Sequence, residues 1–184
     1  MPQENANILE KTVDSRPVFS GLILNIEHLT NELPNGKMAP REVARHIGAS
    51  AVIPVDGEGN VWLVRQFRAP FDQVLLEIPA GKLDAKDEDR LLAAKRELRE
   101  ETGLTAKSWV HLMDLYTTPG FTDEKISLYL ARELSAGESH PDEDEFLNVV
   151  RMPFSELVAM VCRGEVPDGK TALATLLADK ILNA

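Results

Sequence analysis

The sequence predicts an α+β fold, in which a mixed β-sheet is covered by helices. Three observations indicate this class: short apolar segments recur between turn residues, one long amphipathic helix interrupts them, and two further helical stretches follow near the end. Strands interleaved with few helices are typical of this architecture. At 184 residues, with 43% apolar and 27% charged residues, the chain is long enough for one domain with a sizeable core.

The N-terminal region predicts a β-hairpin ahead of the main domain. Residues 1–16 are polar and unpatterned, which indicates a frayed terminus. A strand is predicted over residues 18–27, a turn over 33–36 and a second strand over 37–46. A lone hairpin is marginally stable in water, so this one must pack on another surface.

The main domain begins with two strands, residues 49–55 and 61–67, which the turn 56–60 is expected to join as a hairpin. Each later element is also predicted from apolar periodicity and from the turn residues that bound it. The later strand candidates are residues 74–78, 108–115, 126–132 and 146–152, and the C-terminal helices are residues 153–164 and 171–182.

The long helix is predicted over residues 87–102. Leu91, Ala94 and Leu98 recur at helical spacing and would form its buried stripe. Acidic residues suit its first turn, where the helix dipole favours negative charge, and Gly103 suits its C-terminal end. The pattern therefore predicts a helix with one apolar face that packs on the sheet.

Three carboxylates also share one face of this helix. Glu97, Glu100 and Glu101 are spaced at i, i+3 and i+4. Like charges at i,i+4 cost about 0.2–0.5 kcal/mol per pair, and a hard divalent cation with oxygen ligands would turn this repulsion into a binding site. On charge alone, a solvated acidic helix face is the favoured interpretation, and the order of residues then favours the metal site.

The order of residues in 81–104 resembles the Nudix box, G-x5-E-x7-R-E-U-x-E-E-x-G-U with U apolar. The second half of the pattern matches from Arg96 to Leu104 at every fixed position. Glu88 has the expected spacing to Arg96, but Gly81 precedes Glu88 by one residue more than the pattern asks. The resemblance implies a Nudix-type α/β/α sandwich with a mixed sheet, and the extra residue is expected to form a bulge in the loop.

The same resemblance implies a metal site. Glu97 and Glu101 would be the principal ligands, Glu100 a further ligand or a ligand-orienting catalytic group, and the backbone carbonyl of Ala80 would join them. The implied cofactor is Mg²⁺, with Mn²⁺ as the alternative, in two or three ions. Such ions neutralise a pyrophosphate and polarise the attacked phosphorus.

Other stretches resemble the ADP-ribose pyrophosphatase branch of the Nudix family. Pro119 opens the run PGFTDE after the box, and the runs 66–70 and 77–84 lead into it. A plain Pro-Gly turn is the alternative interpretation of the first run. The branch implies hydrolysis of ADP-ribose to AMP and ribose 5-phosphate.

Other activities remain open from the same residues. One alternative is a Nudix pyrophosphatase for another nucleoside diphosphate sugar or a dinucleotide, such as ADP-glucose, GDP-mannose or NADH. A lower-ranked alternative is a non-catalytic module that senses ADP-ribose. Modules of that kind usually lose box glutamates, whereas this chain keeps Glu97, Glu100 and Glu101.

The acidic loop 141–145 is a candidate source of the general base. Composition alone predicts a solvated surface turn. By resemblance, a glutamate of this loop takes a proton from the attacking water, and Glu145, directly before Phe146, is the best positional match, with Glu143 second. A loop that closes over the substrate could bring either carboxylate to that water.

A diphosphate substrate also needs cations and ribose contacts. Arg68 is the strongest candidate for the phosphates or the terminal ribose, because a guanidinium offers paired donors to phosphate oxygens. By resemblance, Arg45 and Glu42 bind the adenine or ribose end, with neighbouring Arg41 as a further candidate, from the other subunit. Pro119 is the last candidate for a substrate contact.

Charge and cysteine content restrict the partners. The net charge of −10 argues against binding to nucleic acid or to anionic membranes. Cys162 is the single cysteine, is expected in the core, and allows no disulfide framework. The sequence shows no signal-peptide pattern and no apolar stretch of transmembrane length, so we expect a cytoplasmic protein. The resemblance implies that it acts on a small nucleoside diphosphate sugar. By resemblance it is a homodimer, in which residues 1–47 exchange their hairpin and residues 48–184 form the hydrolase domain.

Overall fold

The computed structural model describes residues 7–137 and 146–183. The chain divides into two compact units: one contains the chain up to His46 together with Tyr116–Glu124, and the other contains Ile47–Leu115 and the chain from Lys125 onward. Within the described residues, no helix has both the length and the apolar character needed to cross a membrane.

The first unit is built on a three-stranded antiparallel sheet in the order β1-β2-β3. Its strands are β1 (Lys11–Ser20), β2 (Asn25–Glu32) and β3 (Met38–Arg45). Gly21 N–H donates to Leu24 O at 2.8 Å and closes the turn between β1 and β2. Residues 33–36 turn the chain from β2 into β3, as the sequence predicts.

Two predictions for this region were wrong. Residues 11–16 belong to a strand rather than to a frayed terminus, and the single strand predicted over 18–27 is interrupted by the turn after β1. Every residue of β1 is exposed, so the strand has no buried face and no apolar alternation to reveal it. Leu22 and Leu24 of the turn continue an alternating pattern that imitates a strand.

The second unit contains the remaining elements. Its strands are β4 (Ala49–Pro54), β5 (Asn60–Arg68), β6 (Gln73–Glu77), β7 (Ala80–Lys82), β8 (Leu104–Tyr116, whose last residue belongs to the first unit), β9 (Lys125–Ala136) and β10 (Leu147–Pro153). Its helices are α1 (Arg90–Thr102), α2 (Phe154–Cys162) and α3 (Gly169–Leu182). The predicted mixture of many strands and few helices is confirmed.

The strands of this unit form two sheets. One is mixed, in the order β7-β4-β9-β8, with β4 parallel to β9 and antiparallel to β7. The other is antiparallel, in the order β10-β5-β6. The predicted hairpin of β4 and β5 was therefore wrong, because the two strands share only the bridge Val55–Val61 and then enter different sheets. All residues of β4 are buried, as expected for a strand with partners on both sides.

Helices cover both faces of the mixed sheet. Val52 of β4 packs with Leu98 of α1. The next residue, Ile53, belongs to the cluster that contains Leu157 of α2 and Ala174 of α3. Because successive side chains of a strand point to opposite faces, α1 lies on one face and α3 on the other. The expected α/β/α sandwich is confirmed.

The prediction that Cys162 lies in the core was wrong. Its thiol is free and the residue is exposed at the end of α2. Phe154 and Leu157 form the buried side of this helix. At 100° per residue, Cys162 lies off the stripe that these two residues define, which an apolar run without periodicity conceals.

Candidate active site

The predicted central helix is present as α1, with its start moved three residues downstream. Asp89 is the N-cap, and its side chain accepts a hydrogen bond from Leu92 N at 2.9 Å. Gly103 ends the helix in the left-handed conformation, with φ of 71°, and its N–H donates to Arg99 O. The C-terminal end is where the sequence places it.

The two principal carboxylates lie on the buried side of α1. Glu97 is 6% exposed and Glu101 is 2% exposed, and Leu98 between them is fully buried. The alternative of a solvated acidic face is therefore wrong for these two residues. An ionised carboxylate is costly to bury without compensation, so two such groups on one helix face require nearby donors or cations.

The backbone of β7 lies directly against these carboxylates. Ser50 and Ala51 of β4 pair with Gly81 and Ala80 of this short strand. Ala80 N–H donates to Glu101 Oε2 at 3.3 Å. A Cβ on Gly81 would lie 2.1 Å from Glu97 Oε1, so any larger residue here would have to displace that carboxylate.

Arg96 connects the carboxylates to the strand. Its Nη1 donates to Glu97 Oε1 at 2.6 Å and to Glu100 Oε2 at 3.2 Å, and its Nη2 donates to Lys82 O at 3.0 Å. Burial lowers the pKa of Arg96, but the charge of Glu97 and the hydrogen bond to Glu100 outweigh burial and raise it. Arg96 is thus a brace between helix and strand.

The extra residue relative to the Nudix pattern lies in the loop 83–89, between β7 and α1. Glu88 closes this loop, because its Oε2 accepts a hydrogen bond from Asp84 N at 2.7 Å. Its other oxygen lies 3.6 Å from Arg96 Nε. Glu88 therefore holds together the loop that leads into α1.

The donor atoms here fit a hard divalent cation in their chemistry. Glu97, Glu100 and Glu101 offer only oxygen, which Mg²⁺ and Mn²⁺ prefer, and the first two share the Arg96 guanidinium. Among the described residues, no three acidic, histidine or cysteine side chains converge as a ready-made metal cluster. The arrangement is therefore one in which Arg96 balances the carboxylate charge.

Arg68, predicted to contact phosphate, forms a two-point ion pair with Glu77. Its Nε and Nη2 donate to the two carboxylate oxygens, each at 2.7 Å. Lys170 also donates to Glu77 Oε2. Burial raises the pKa of Glu77, but the hydrogen bonds and charges of Arg68 and Lys170 outweigh burial and hold it below its usual value. The Arg68 charge also interacts with that of Glu101.

The start of α3 completes this network and was missed in the sequence. Asp168 caps the helix by accepting from Thr171 N at 3.0 Å, and it also accepts from Lys170 Nζ at 3.0 Å. Thr171 Oγ1 in turn accepts from Ile78 N at 2.9 Å. A cation in the first turn of a helix is unfavourable because it opposes the helix dipole. The presence of Lys170 at this position was the signal in the sequence that could have indicated an acidic partner.

The candidates in the first unit form a separate group. Arg45 donates from Nε to Glu27 Oε2 at 2.9 Å and from Nη1 to Asp123 Oδ2 at 3.1 Å. Ala44 N–H donates to Phe121 O at 2.7 Å, which joins β3 to the segment 116–124. Arg45 and the PGFTDE run, two separate predictions from the sequence, are thus brought together.

The other candidates of this unit have local partners. Arg41 pairs with Glu10, and Glu42 Oε1 lies 3.1 Å from His28 Nε2. Pro119 lies in the turn that Thr118 O closes by accepting from Phe121 N at 3.2 Å. Glu143 and Glu145, the candidate bases, fall outside the described residues.

Comparison of the sequence with known proteins gives three matches. A model of the NUDIX domain matches residues 44–176. An ADP-ribose pyrophosphatase of Bacillus subtilis (strain 168) is 44% identical over 167 residues, 90% of each chain. An ADP-ribose pyrophosphatase of Mycobacterium tuberculosis (strain ATCC 25618 / H37Rv) is 39% identical over 171 residues, 91% of this chain and 82% of that protein.

A solved structure agrees with the fold. The crystal structure of an ADP compounds hydrolase superposes with a TM-score of 0.84 and covers 95% of this chain and 94% of that chain. Its sequence identity is 23%, so this similarity shows the fold alone.

Proposed function

This chain belongs to the NUDIX family, and on that premise we propose that it hydrolyses the pyrophosphate bond of ADP-ribose, yielding AMP and ribose 5-phosphate. The observation that carries the proposal is the buried pair Glu97 and Glu101 against the backbone of Ala80 and Gly81. Support for the substrate comes from two relatives named ADP-ribose pyrophosphatase that match nearly the whole chain.

The proposed cofactor is Mg²⁺, with Mn²⁺ as an alternative, in two or three ions. Glu97, Glu101, Glu100 and the carbonyl of Ala80 would hold it. When bound, such a cation neutralises diphosphate charge and lowers the pKa of a water molecule. The chain's own part is to hold the carboxylates in place, which Arg96 and the Ala80 N–H support through their hydrogen bonds.

The remaining chemistry needs a base and an anion-binding group. We assign the base to Glu145, with Glu143 as the second candidate, because a loop carboxylate can close onto the attacking water. Arg68 would bind the phosphates. Its side chain is 39% exposed although it is anchored on Glu77, so a guanidinium edge remains accessible to an anion.

The adenine or ribose end is assigned to the first unit. We propose contacts from Arg41, Glu42, Arg45 and Pro119, supplied by the partner subunit of a homodimer. The exposed apolar residues Leu22, Ile23 and Leu24, in the turn after β1, support an association of this kind, because several large apolar side chains close together favour a protein contact.

A substrate panel tests the proposed function. The wild-type protein, with Mg²⁺, is assayed with ADP-ribose, ADP-glucose, GDP-mannose, NADH and diadenosine polyphosphates, and ADP-ribose is expected to have the highest kcat/KM. Preference for another compound would favour the alternative of a different nucleotide sugar or dinucleotide. Binding of ADP-ribose without turnover of any compound would favour a sensing module.

The metal-binding role of Glu101 is tested on the same assay. Glu101→Gln should lower kcat by about 100-fold or more, since the lost metal contact is worth several kcal/mol in the transition state. The control is Glu156→Gln, an exposed glutamate at the start of α2. Wild-type turnover by Glu101→Gln at saturating Mg²⁺ contradicts the mechanism.

A further inference from the structure

Glu77 is the centre of a buried charged network outside the Nudix box. It is 1% exposed and lies between Arg68, on β5, and Lys170, in the first turn of α3. Asp168 binds the other side of Lys170. Two cations and two carboxylates thus form a continuous chain, with Arg68 at the end that reaches solvent.

Stability alone is a poor reason for such a network. Burying ion pairs carries a large desolvation cost, and well-packed apolar residues are often at least as stabilising. What the network does achieve is a fixed orientation of Arg68. Two of its nitrogens are held by Glu77, and no hydrogen bond from Nη1 is found within the described residues. The accessible edge of the guanidinium therefore has one defined direction.

The start of α3 also holds residues 78–79, the segment that leads into β7. β7 is the strand that lies against the proposed metal-binding carboxylates. Thr171 Oγ1 accepts from Ile78 N, and Pro79 O accepts from Val52 N at 2.9 Å. These contacts fix the two residues between Glu77 and Ala80. Lys170 and Thr171 are adjacent. One turn of α3 therefore fixes both the orientation of Arg68 and the position of the strand that lies against Glu97 and Glu101.

We propose that Lys170 is a positioning residue for substrate binding: it fixes the Glu77 carboxylate, and Glu77 in turn orients Arg68 towards the diphosphate. Lys170 itself does not contact substrate. The inference rests on the proposed pyrophosphatase function, and it adds to the reaction a residue 93 positions from Glu77 in the chain. Lys170→Met should therefore weaken the binding of a diphosphate, whereas a purely structural lysine would affect only stability.

The test measures kcat and KM separately for wild type, Lys170→Met and Lys170→Arg. Loss of a group that orients a metal ligand typically costs about 10- to 100-fold in affinity or activity, and on the same scale KM is expected here to rise by at least about tenfold. Lys170→Arg should recover most of that loss, because it keeps a cationic donor. Lys180→Met is the matched control, since Lys180 is exposed in the last turn of the same helix.

A second readout does not depend on turnover. Binding of ADP-ribose without added metal is measured by calorimetry, and Lys170→Met should weaken it by a factor similar to the rise in KM. If Lys170→Met does not fold, Lys170→Ala, which also removes the donor to Glu77, replaces it. Unchanged KM and unchanged binding in a folded variant overturn the inference, even if its melting temperature falls.

A double-mutant cycle identifies the route. In an Arg68→Gln background, Lys170→Met should change KM far less than in wild type, because the residue through which it acts is gone. Equal effects in both backgrounds overturn the positioning role. Absence of hydrolysis by the wild-type protein would reject the pyrophosphatase function itself, and the calorimetric comparison would still decide whether Lys170 supports binding.

Discussion

Glu97 Oε1 lies so close to Gly81 that a Cβ at position 81 would come within 2.1 Å of it. Glycine at this position is therefore a requirement of the carboxylate, and it does not serve a turn: Gly81 is paired with Ser50 in a strand. Gly81 is the first glycine of the box pattern, and Glu97 is the first glutamate of the pattern that lies on the helix. The two residues thus lie directly against each other in the structure.

Gly81→Ala should remove most of the activity. The added methyl must displace either the Glu97 carboxylate or β7, and either movement would shift the proposed metal ligand from its place. We expect kcat/KM to fall by about 100-fold, in line with misplacement of a catalytic group by about 1 Å. Gly57→Ala is the control, because a Cβ there meets no atom within 4 Å. Similar kinetics of the two variants would contradict this account.

If Glu145 is the proposed general base, Glu145→Gln should lower kcat with little change in KM, because a base acts on the proton transfer and contributes about 10²–10⁴-fold. The parallel variant Glu143→Gln should retain most of the activity. Steady-state kinetics with ADP-ribose and Mg²⁺ separate the two. A large loss in Glu143→Gln alone would transfer the assignment to that residue, and full activity of both would remove the base from this loop.

Acid should weaken a polar cluster at Asp114. Burial raises its pKa, but hydrogen bonds from Ser127 and Lys125 and the contact with His111 outweigh burial and lower it from 3.8 to about 2. Because the pKa is lower in the folded state, this carboxylate stabilises the fold above pH 3.8 and loses that effect as the pH falls towards 2. Asp114→Asn should melt below wild type at pH 6, with the gap shrinking at pH 2. A gap of equal size at both pH values would show that the charge is not responsible.

The turn after β1 should be part of a subunit contact. Leu22 is fully exposed and Ile23 is 62% exposed, which is costly for side chains of this kind unless another surface covers them. The double variant Leu22→Asp and Ile23→Asp should shift a dimer towards monomer in sedimentation velocity. Ile181→Asp, an exposed apolar position in α3, is the control. A wild-type protein that sediments as a monomer would reject the prediction.

The helix and its carboxylates could be predicted because their signals are local. Spacing places Glu97 and Glu101 on one face of α1, and Gly103 marks its end. Burial of those carboxylates could not be read in this way. An acidic face on a helix normally indicates solvent, and only the approach of Ala80 and Gly81 from another strand reverses that expectation.

The assignment of strands to sheets was predicted less well than the helix, and the reason is again physical. A short turn between two apolar strands predicts a hairpin, but the sequence does not state how many partners each strand needs. β4 takes β7 and β9 as partners, whereas β5 takes β6 and β10. Likewise, the contact of Lys170 with Glu77 joins residues far apart in the chain, and no local periodicity reports such a pair.

The parallel pairing of β4 with β9 also has a consequence for biosynthesis. Ala49 meets Ile126, so the central sheet cannot close until the ribosome has made most of the second unit. Until then β4 can pair with β7 but lacks β9, its second strand partner. Pairing over such a separation slows folding and exposes unpaired strand edges. A nascent chain of this protein should therefore expose one edge of β4 until β9 emerges.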